Sequence, residues 1–151
     1  MLPAALPLWI VAVIAVGSVD NTTATHPAYV VSGFSSRGPV ADGRLKPDVV
    51  APGNFLESTT TTAGAHGYSG MGGTSMAAPV VSGAAAIVRQ FYQQLQAVES
   101  PSAALVKATL VNSAMDVGGS AIRLPDMAQG WGRIDLRHAL LHENGRSLWY
   151  Y

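Results

Sequence analysis

The stretch Gly73-Thr74-Ser75-Met76-Ala77-Ala78-Pro79 constrains this chain more than any other. A Gly-Thr pair leads into one serine. A run of small and apolar residues follows from Met76 to Val88, broken only by Pro79, Ser82 and Gly83. This composition predicts a helix from about Ser75 to Leu95. Its Gly83-Ala84-Ala85-Ala86 segment lets neighbouring backbone approach closely, as a helix through the middle of a fold requires. Pro79 is expected near the helix start, where a missing N–H costs least. Ser75 would then hold its Oγ and its own N–H at the positive end of the helix dipole, where an oxyanion formed by attack on a carbonyl is stabilised. The plainer alternative is a serine-capped helix, because Ser and Thr are the usual N-caps. Capping alone does not call for the whole heptapeptide.

Length and composition narrow the classes. A chain of 151 residues can form one domain with a real core. Apolar residues make up 48% and charged ones 12%, with zero net charge, which argues against electrostatic nucleic-acid binding. Sixteen glycines and nine prolines suit a tightly turned enzyme better than a helical bundle. Without cysteine there is no disulfide, thiol chemistry or cysteine-based metal site. Leu8 to Val16 is continuously apolar but far short of the roughly 20 residues that span a bilayer. A signal-peptide core ending at Ala15-Val16-Gly17 is one reading. No Lys or Arg precedes it and Pro3 and Pro7 interrupt the approach, so a buried parallel strand over Ile10–Val16 is the better one.

The heptapeptide around Ser75 resembles the nucleophile motif of the subtilisin-like (S8) serine peptidases, the subtilases. Gly33-Phe34-Ser35-Ser36-Arg37-Gly38-Pro39 and Lys46-Pro47-Asp48-Val49-Val50-Ala51-Pro52-Gly53 resemble two further segments of that family, in the same order. Pro101 to Asn112 and Gln129-Gly130-Trp131-Gly132-Arg133-Ile134-Asp135 look like its closing helix and final turn. The resemblance covers roughly Val13 to Leu141.

The family's triad runs Asp, His, Ser along the chain, so the resemblance implies two partners upstream of Ser75. The Asp-Ser/Thr-Gly and His-Gly-Thr-x-Val-Ala settings of those partners are not in this sequence. Asp20-Asn21-Thr22 and His66-Gly67-Tyr68 are only echoes. The family's oxyanion asparagine, in an Ala-Gly-Asn context, is also not matched, since Asn54 follows Pro52-Gly53. The resemblance therefore implies the C-terminal part of a catalytic domain.

Along the chain, Ser18–Ala28 reads as a polar loop and Tyr29–Ser35 as a strand. Arg37–Pro47 is a turn-rich excursion, and Val49–Ala51 a short strand closed by Pro52-Gly53. Asn54–Gly73 reads as a Thr/Gly/Ser-rich loop, and long loops of this kind are often functional. Pro101 is expected to open the next helix with Ser100 as its cap. Asp135–His142 is a last short helix, and Ser147–Tyr151 reads as the start of a strand.

Several residues have plain readings. His26, His138 and His142 make no metal spacing with Asp or Glu. His138 and His142 stand four apart, without the glutamate of a His-Glu-x-x-His motif. Asp48 and Arg37 are expected to hold loops. Asn21-Thr22-Thr23 fits a glycosylation triplet of a kind frequent by chance.

The resemblance implies a three-layer α/β fold with a mostly parallel sheet, incomplete at the N-terminal side. Residues 1–143 would be the C-terminal part of a peptidase domain, and 144–151 a tail opening a further β segment. The implied activity is serine endopeptidase action on protein or peptide substrates, with Ser75 as nucleophile and Ser75, Thr74, Gly73, Gly72 and Met71 as oxyanion and substrate contacts. The other class is a non-catalytic peptidase-like remnant or partner-binding protein. No cofactor and no metal are assigned to this chain, although subtilases often bind calcium. No nucleic acid and no membrane are expected as partners, and the missing N-terminal part of the same domain is. The complete enzyme would be secreted.

Overall fold

The computed structural model describes residues 13–21, 30–61, 67–118 and 124–141. Two parallel strands form its centre: β1 (Val16–Asp20) and β2 (Val49–Asn54). Their register pairs Val16 with Val49 and Ser18 with Ala51, then shifts after Val19 so that Asp20 faces Asn54. On its other side β2 takes a parallel bridge from Val50 to Arg133. Val50 donates to Gly132 O, and Ile134 donates back to Val50 O. β2 is thus flanked on both sides, and Val49, Val50 and Ala51 are fully buried. A continuous apolar run is what such a strand needs.

Among the described residues three helices come after the strands: α1 (Thr74–Leu95), α2 (Ala103–Asn112) and α3 (Leu136–Leu140). On α1 the buried residues are Ala77, Val81, Ala84, Val88 and Tyr92, at the three- and four-residue spacing of a single helical face. That face packs with Val49 and Ala51 of β2, Val106 and Leu110 of α2, and Ile134. The Tyr92 hydroxyl is satisfied inside this core by Thr109 Oγ1 at 2.9 Å. A second apolar stripe on α1 is uncovered: Val80 and Ile87 are 39% and 45% exposed, beside exposed Pro79 and Gly83.

The structure moves several boundaries. Strand β1 begins at Val16, and Ile10–Ala12 lie outside the described residues. Ser18 to Asp20, read as loop, complete the strand. Ser18 is polar yet fully buried because its N–H bonds Ser35 Oγ and its hydroxyl meets Ser32 Oγ, each at 3.0 Å. The strand expected over Tyr29–Ser35 reduces, among the described residues, to one antiparallel bridge between Val31 and Val19. The Ser35 N–H turns back to Ser32 O at 2.9 Å and ends it.

Strand β2 continues through Pro52 and Gly53. Pro52 shares the parity of Val50, so its missing N–H points past the bridge to Arg133, where no ladder partner is lost. The helix α2 starts two residues later than expected. Its cap is Ser102, whose side chain accepts from Leu105 N at 3.1 Å, with Pro101 just outside. Asp135 caps α3, accepting from the N–H groups of Arg137 and His138.

The largest correction concerns Asn54–Gly73. This segment contains an antiparallel hairpin of β3 (Leu56–Thr60) and β4 (Gly67–Met71), paired Leu56 to Met71 and Thr60 to Gly67. Its strands carry no apolar alternation because neither has a buried face. The pairing rests on backbone bonds and on the strand preference of threonine.

Candidate active site

Strand β2, the hairpin and α1 meet at Ser75. The chain leaves β2 at Gly53-Asn54, makes the hairpin, and returns through Gly72-Gly73 into the first turn of α1. Gly73 is the N-cap and carries no side-chain cap bond. The serine-capped reading therefore falls, because Ser75 stands one residue inside the helix, with its side chain exposed. Met76 and Ala77 donate to Gly73 O at 2.9 and 3.4 Å. Among the described residues the Ser75 N–H makes no hydrogen bond. It is one of the orphan donors of a helix start, aligned with the dipole. Pro79 lies deeper in the helix than expected, at the sixth position. It has no N–H to donate to the Ser75 carbonyl four residues back, so that carbonyl receives no helical bond from position 79.

Ser75 opens onto a groove of about 500 Å³. The hairpin lines one wall with Leu56, Glu57 and Met71, and α1 the other with Met76, Pro79 and Val80. Met71 is 54% exposed and Gly72 is exposed beside it, while Gly73 and Thr74 are half-buried beneath Ser75. The five residues singled out in the sequence thus form one continuous edge from β4 into α1. The groove wall from β3 was not foreseen, since the segment read as loop. The threonine run was the available signal.

The turn before Ser75 is pinned from below. Gly73 N–H donates to Gly53 O at 2.6 Å. A Cβ on Gly53 would meet Ser18 Oγ at 2.5 Å, Gly73 O at 2.7 Å and the Ala77 Cβ at 2.9 Å. A Cβ on Gly72 would run into Asn54 Oδ1. Asn54 uses its own amide N–H to bond Asp20 Oδ1 at 2.9 Å. Asp20 also accepts from Ser32 Oγ at 2.6 Å. Both residues are therefore committed to a strand-end network. His66 and His26 lie outside the described residues, as does His142.

Asp48 fills the structural role expected of it. Its carboxylate takes Ala15 N–H at 2.7 Å, Lys46 Nζ at 2.6 Å and Lys107 Nζ at 3.1 Å. Burial pushes this carboxyl up, but the bonds from Lys46, Ala15 and Lys107 outweigh it and hold it below the ordinary value. Lys107 also donates to Val13 O at 2.9 Å, joining α2 to the approach of β1. Arg37 is exposed.

Parallel strands packed under a central helix, with a serine in that helix's first turn, make an α/β arrangement with a candidate nucleophile at a helix start. The sequence model of the subtilase family, Peptidase S8, matches residues 2–132, and this chain belongs to that family. It is 32% identical over 152 aligned positions to the serine protease/ABC transporter B family protein tagA of Dictyostelium discoideum, covering 85% of this chain and 8% of that protein. It is 37% identical to the minor extracellular protease Vpr of Bacillus subtilis, covering 73% of this chain and 14% of that one. Among solved structures, the CspB protease of Clostridium perfringens superposes with a TM-score of 0.67 at 30% identity, over 89% of this chain and 27% of the other. The chain thus spans a small part of the length of the relatives it matches.

Proposed function

We propose that this chain carries the nucleophile of a serine endopeptidase, and that the nucleophile is Ser75. The observation that supports this most is the first turn of α1: an exposed serine, with an unbonded N–H beside it, at the edge of a groove. In this reading Ser75 Oγ attacks the scissile carbonyl carbon and its proton passes to a histidine. The carbonyl oxygen takes up the negative charge and is stabilised by the Ser75 N–H and the dipole of α1. Collapse of the adduct breaks the C–N bond, the amine leaves with the proton, and water hydrolyses the acyl-serine.

The histidine, the aspartate that orients it and a second oxyanion donor come from a preceding part of the same domain. Residues 1–143 form the C-terminal portion of that domain, and 144–151 open a further β segment. The substrates are proteins or peptides. The complete enzyme acts outside the cell, as the name of the Bacillus subtilis relative says of that protein.

The 151 residues alone are inactive in this reading, because an unassisted serine hydroxyl is a poor nucleophile. The test is labelling with a fluorophosphonate probe. A longer chain carrying the preceding segment should label at Ser75 and cleave casein, and Ser75→Ala should abolish both. Labelling of the longer chain at another residue, or none at all, overturns the assignment. Stoichiometric labelling of the 151-residue chain would mean that a local base activates Ser75 and that the incomplete-site reading is wrong.

A further inference from the structure

We propose that Asn54, held by Asp20, is a positioning residue that sets the orientation of Ser75 by bracing the Gly72-Gly73 turn. The inference rests on the reading of Ser75 as nucleophile and assigns a role to a pair that the triad chemistry does not use.

Asp20 and Asn54 are register partners at the ends of β1 and β2, just past the point where the register shifts. The Asn54 amide nitrogen donates to Asp20 Oδ1 at 2.9 Å. The same oxygen accepts from Ser32 Oγ at 2.6 Å, and Ser32 Oγ lies 3.0 Å from Ser18 Oγ. Ser18 and Ser32 are fully buried, so the chain of bonds ends in immobile core. The Asn54 backbone is fixed as well, since its carbonyl accepts from Asn21 N–H at 3.2 Å. Its Oδ1 accepts from Phe55 N–H at 3.1 Å, which orients the amide plane.

That oriented amide lies where a side chain on Gly72 would stand. Gly72 and Gly73 have no side chains with which to set their own geometry. What sets it is contact: Asn54 against Gly72, and Gly53 O receiving the Gly73 N–H. Ser75 comes two residues later. The direction of its Oγ and of its N–H is thereby referred to the end of β2. Misplacement of a reacting group by about 1 Å costs on the order of 10²-fold in rate, so this bracing matters to the chemistry more than to the fold. Asn54 is not among the groove-lining residues, so substrate affinity is not expected to track the rate.

The exchange Asp20→Asn with Asn54→Asp tests this, because it reverses the polarity of the bond and keeps it. The new amide at position 20 would place its NH2 where Oδ1 stood, donating one N–H to the new carboxylate at position 54 and the other to Ser32 Oγ, whose own proton would turn to Ser18 Oγ. The carboxylate at position 54 would still accept from Phe55 N–H. Asn54→Asp alone instead sets two carboxylates at hydrogen-bonding distance. In the longer chain that carries the preceding segment, Asn54→Ala should lower kcat and the rate of fluorophosphonate labelling by about tenfold or more, with KM within about twofold. Asn54→Asp should be slower still, and the exchange should recover most of the parent rate. Parent-like kcat and labelling in Asn54→Ala overturn the proposal. So does an exchange variant that unfolds at the parent temperature but stays as slow as Asn54→Asp.

A second measurement separates this proposal from the nucleophile reading. In the 151-residue chain, Asn54→Ala should speed amide hydrogen exchange at Gly73, and the exchange variant should restore protection. Restored protection in chains whose parent never labels at Ser75 would sink the nucleophile and keep the brace. Unchanged Gly73 protection in Asn54→Ala would sink the brace alone.

Discussion

Gly73 donates its backbone N–H to the carbonyl of Gly53 over 2.6 Å, tying the turn ahead of Ser75 to the end of β2. The bond is short because both partners lack a Cβ at a place where two backbones cross. Gly53→Ala would press its new methyl on the Gly73 carbonyl and on Ala77, neither of which can rotate away. Overpacking of this kind costs about 1–3 kcal/mol. Urea denaturation of Gly53→Ala should show a stability lower by that amount, and amide exchange at Gly73 should rise with it. A parent-like midpoint would mean that the two backbones cross at a greater distance.

The core under α1 gives a graded pair. Leu110 is fully buried among Val81, Val88 and Val106, and Leu110→Ala should cost about 2–5 kcal/mol. Tyr92→Phe removes only the hydroxyl bonded to Thr109 Oγ1. Thr109 keeps a partner, because its hydroxyl also bonds Leu105 O at 2.9 Å. The expected cost is about 1 kcal/mol, near a single neutral hydrogen bond. Equal costs for the two variants in denaturant melts would contradict the packing of this helix pair.

The parts of the fold that were legible in the sequence are the ones that local features record. The helix after Ser75 was, because Ala77, Val81, Ala84, Val88 and Tyr92 share one face and Gly73 precedes them. The buried β2 was, through its apolar run. The family was, because three motifs occur in order. The hairpin of β3 and β4 was not: with both faces exposed, its strands show no alternation to read. Ser18 in a strand was not, since a serine enters a core only when distant partners satisfy it, here Ser32 and Ser35. The brace of Asn54 and Asp20 joins residues 34 apart and depends on a register shift that no local pattern records.

The second stripe of α1 makes a prediction about solution behaviour. Val80 and Ile87 are exposed beside Pro79 and Gly83, and they line a groove of about 490 Å³ with Ile134 and Leu136. Contiguous apolar surface of this kind drives association. The 151-residue chain should self-associate at micromolar concentration in sedimentation velocity runs. Ile87→Lys should shift it toward monomer without lowering its thermal midpoint, because Ile87 is absent from the core cluster. A parent chain that sediments as a monomer would refute this.

Asp48 makes the fold acid-sensitive in a definite direction. Its folded carboxyl sits below the ordinary value of 3.8, against the opposing push of burial. A group with a lowered folded value binds fewer protons in the folded state than in the unfolded one. Its contribution is therefore complete above about pH 3.8 and is lost as the pH falls through the lower folded value. Asp135 is shifted the same way, burial opposing and the His138 and Arg137 N–H groups prevailing, but it is more exposed and its share is smaller. Asp48→Asn keeps an acceptor for Ala15 N–H and gives up the charge that Lys46 and Lys107 face. At about pH 6 this variant should be less stable than the parent by about 1–3 kcal/mol, the range for bonds to charged groups. Urea melts repeated stepwise down to about pH 2.5 should show the two proteins converging below pH 3.8, as the parent loses what the variant never had. A gap of constant size across that range would show that the deficit of the variant does not come from the carboxylate charge.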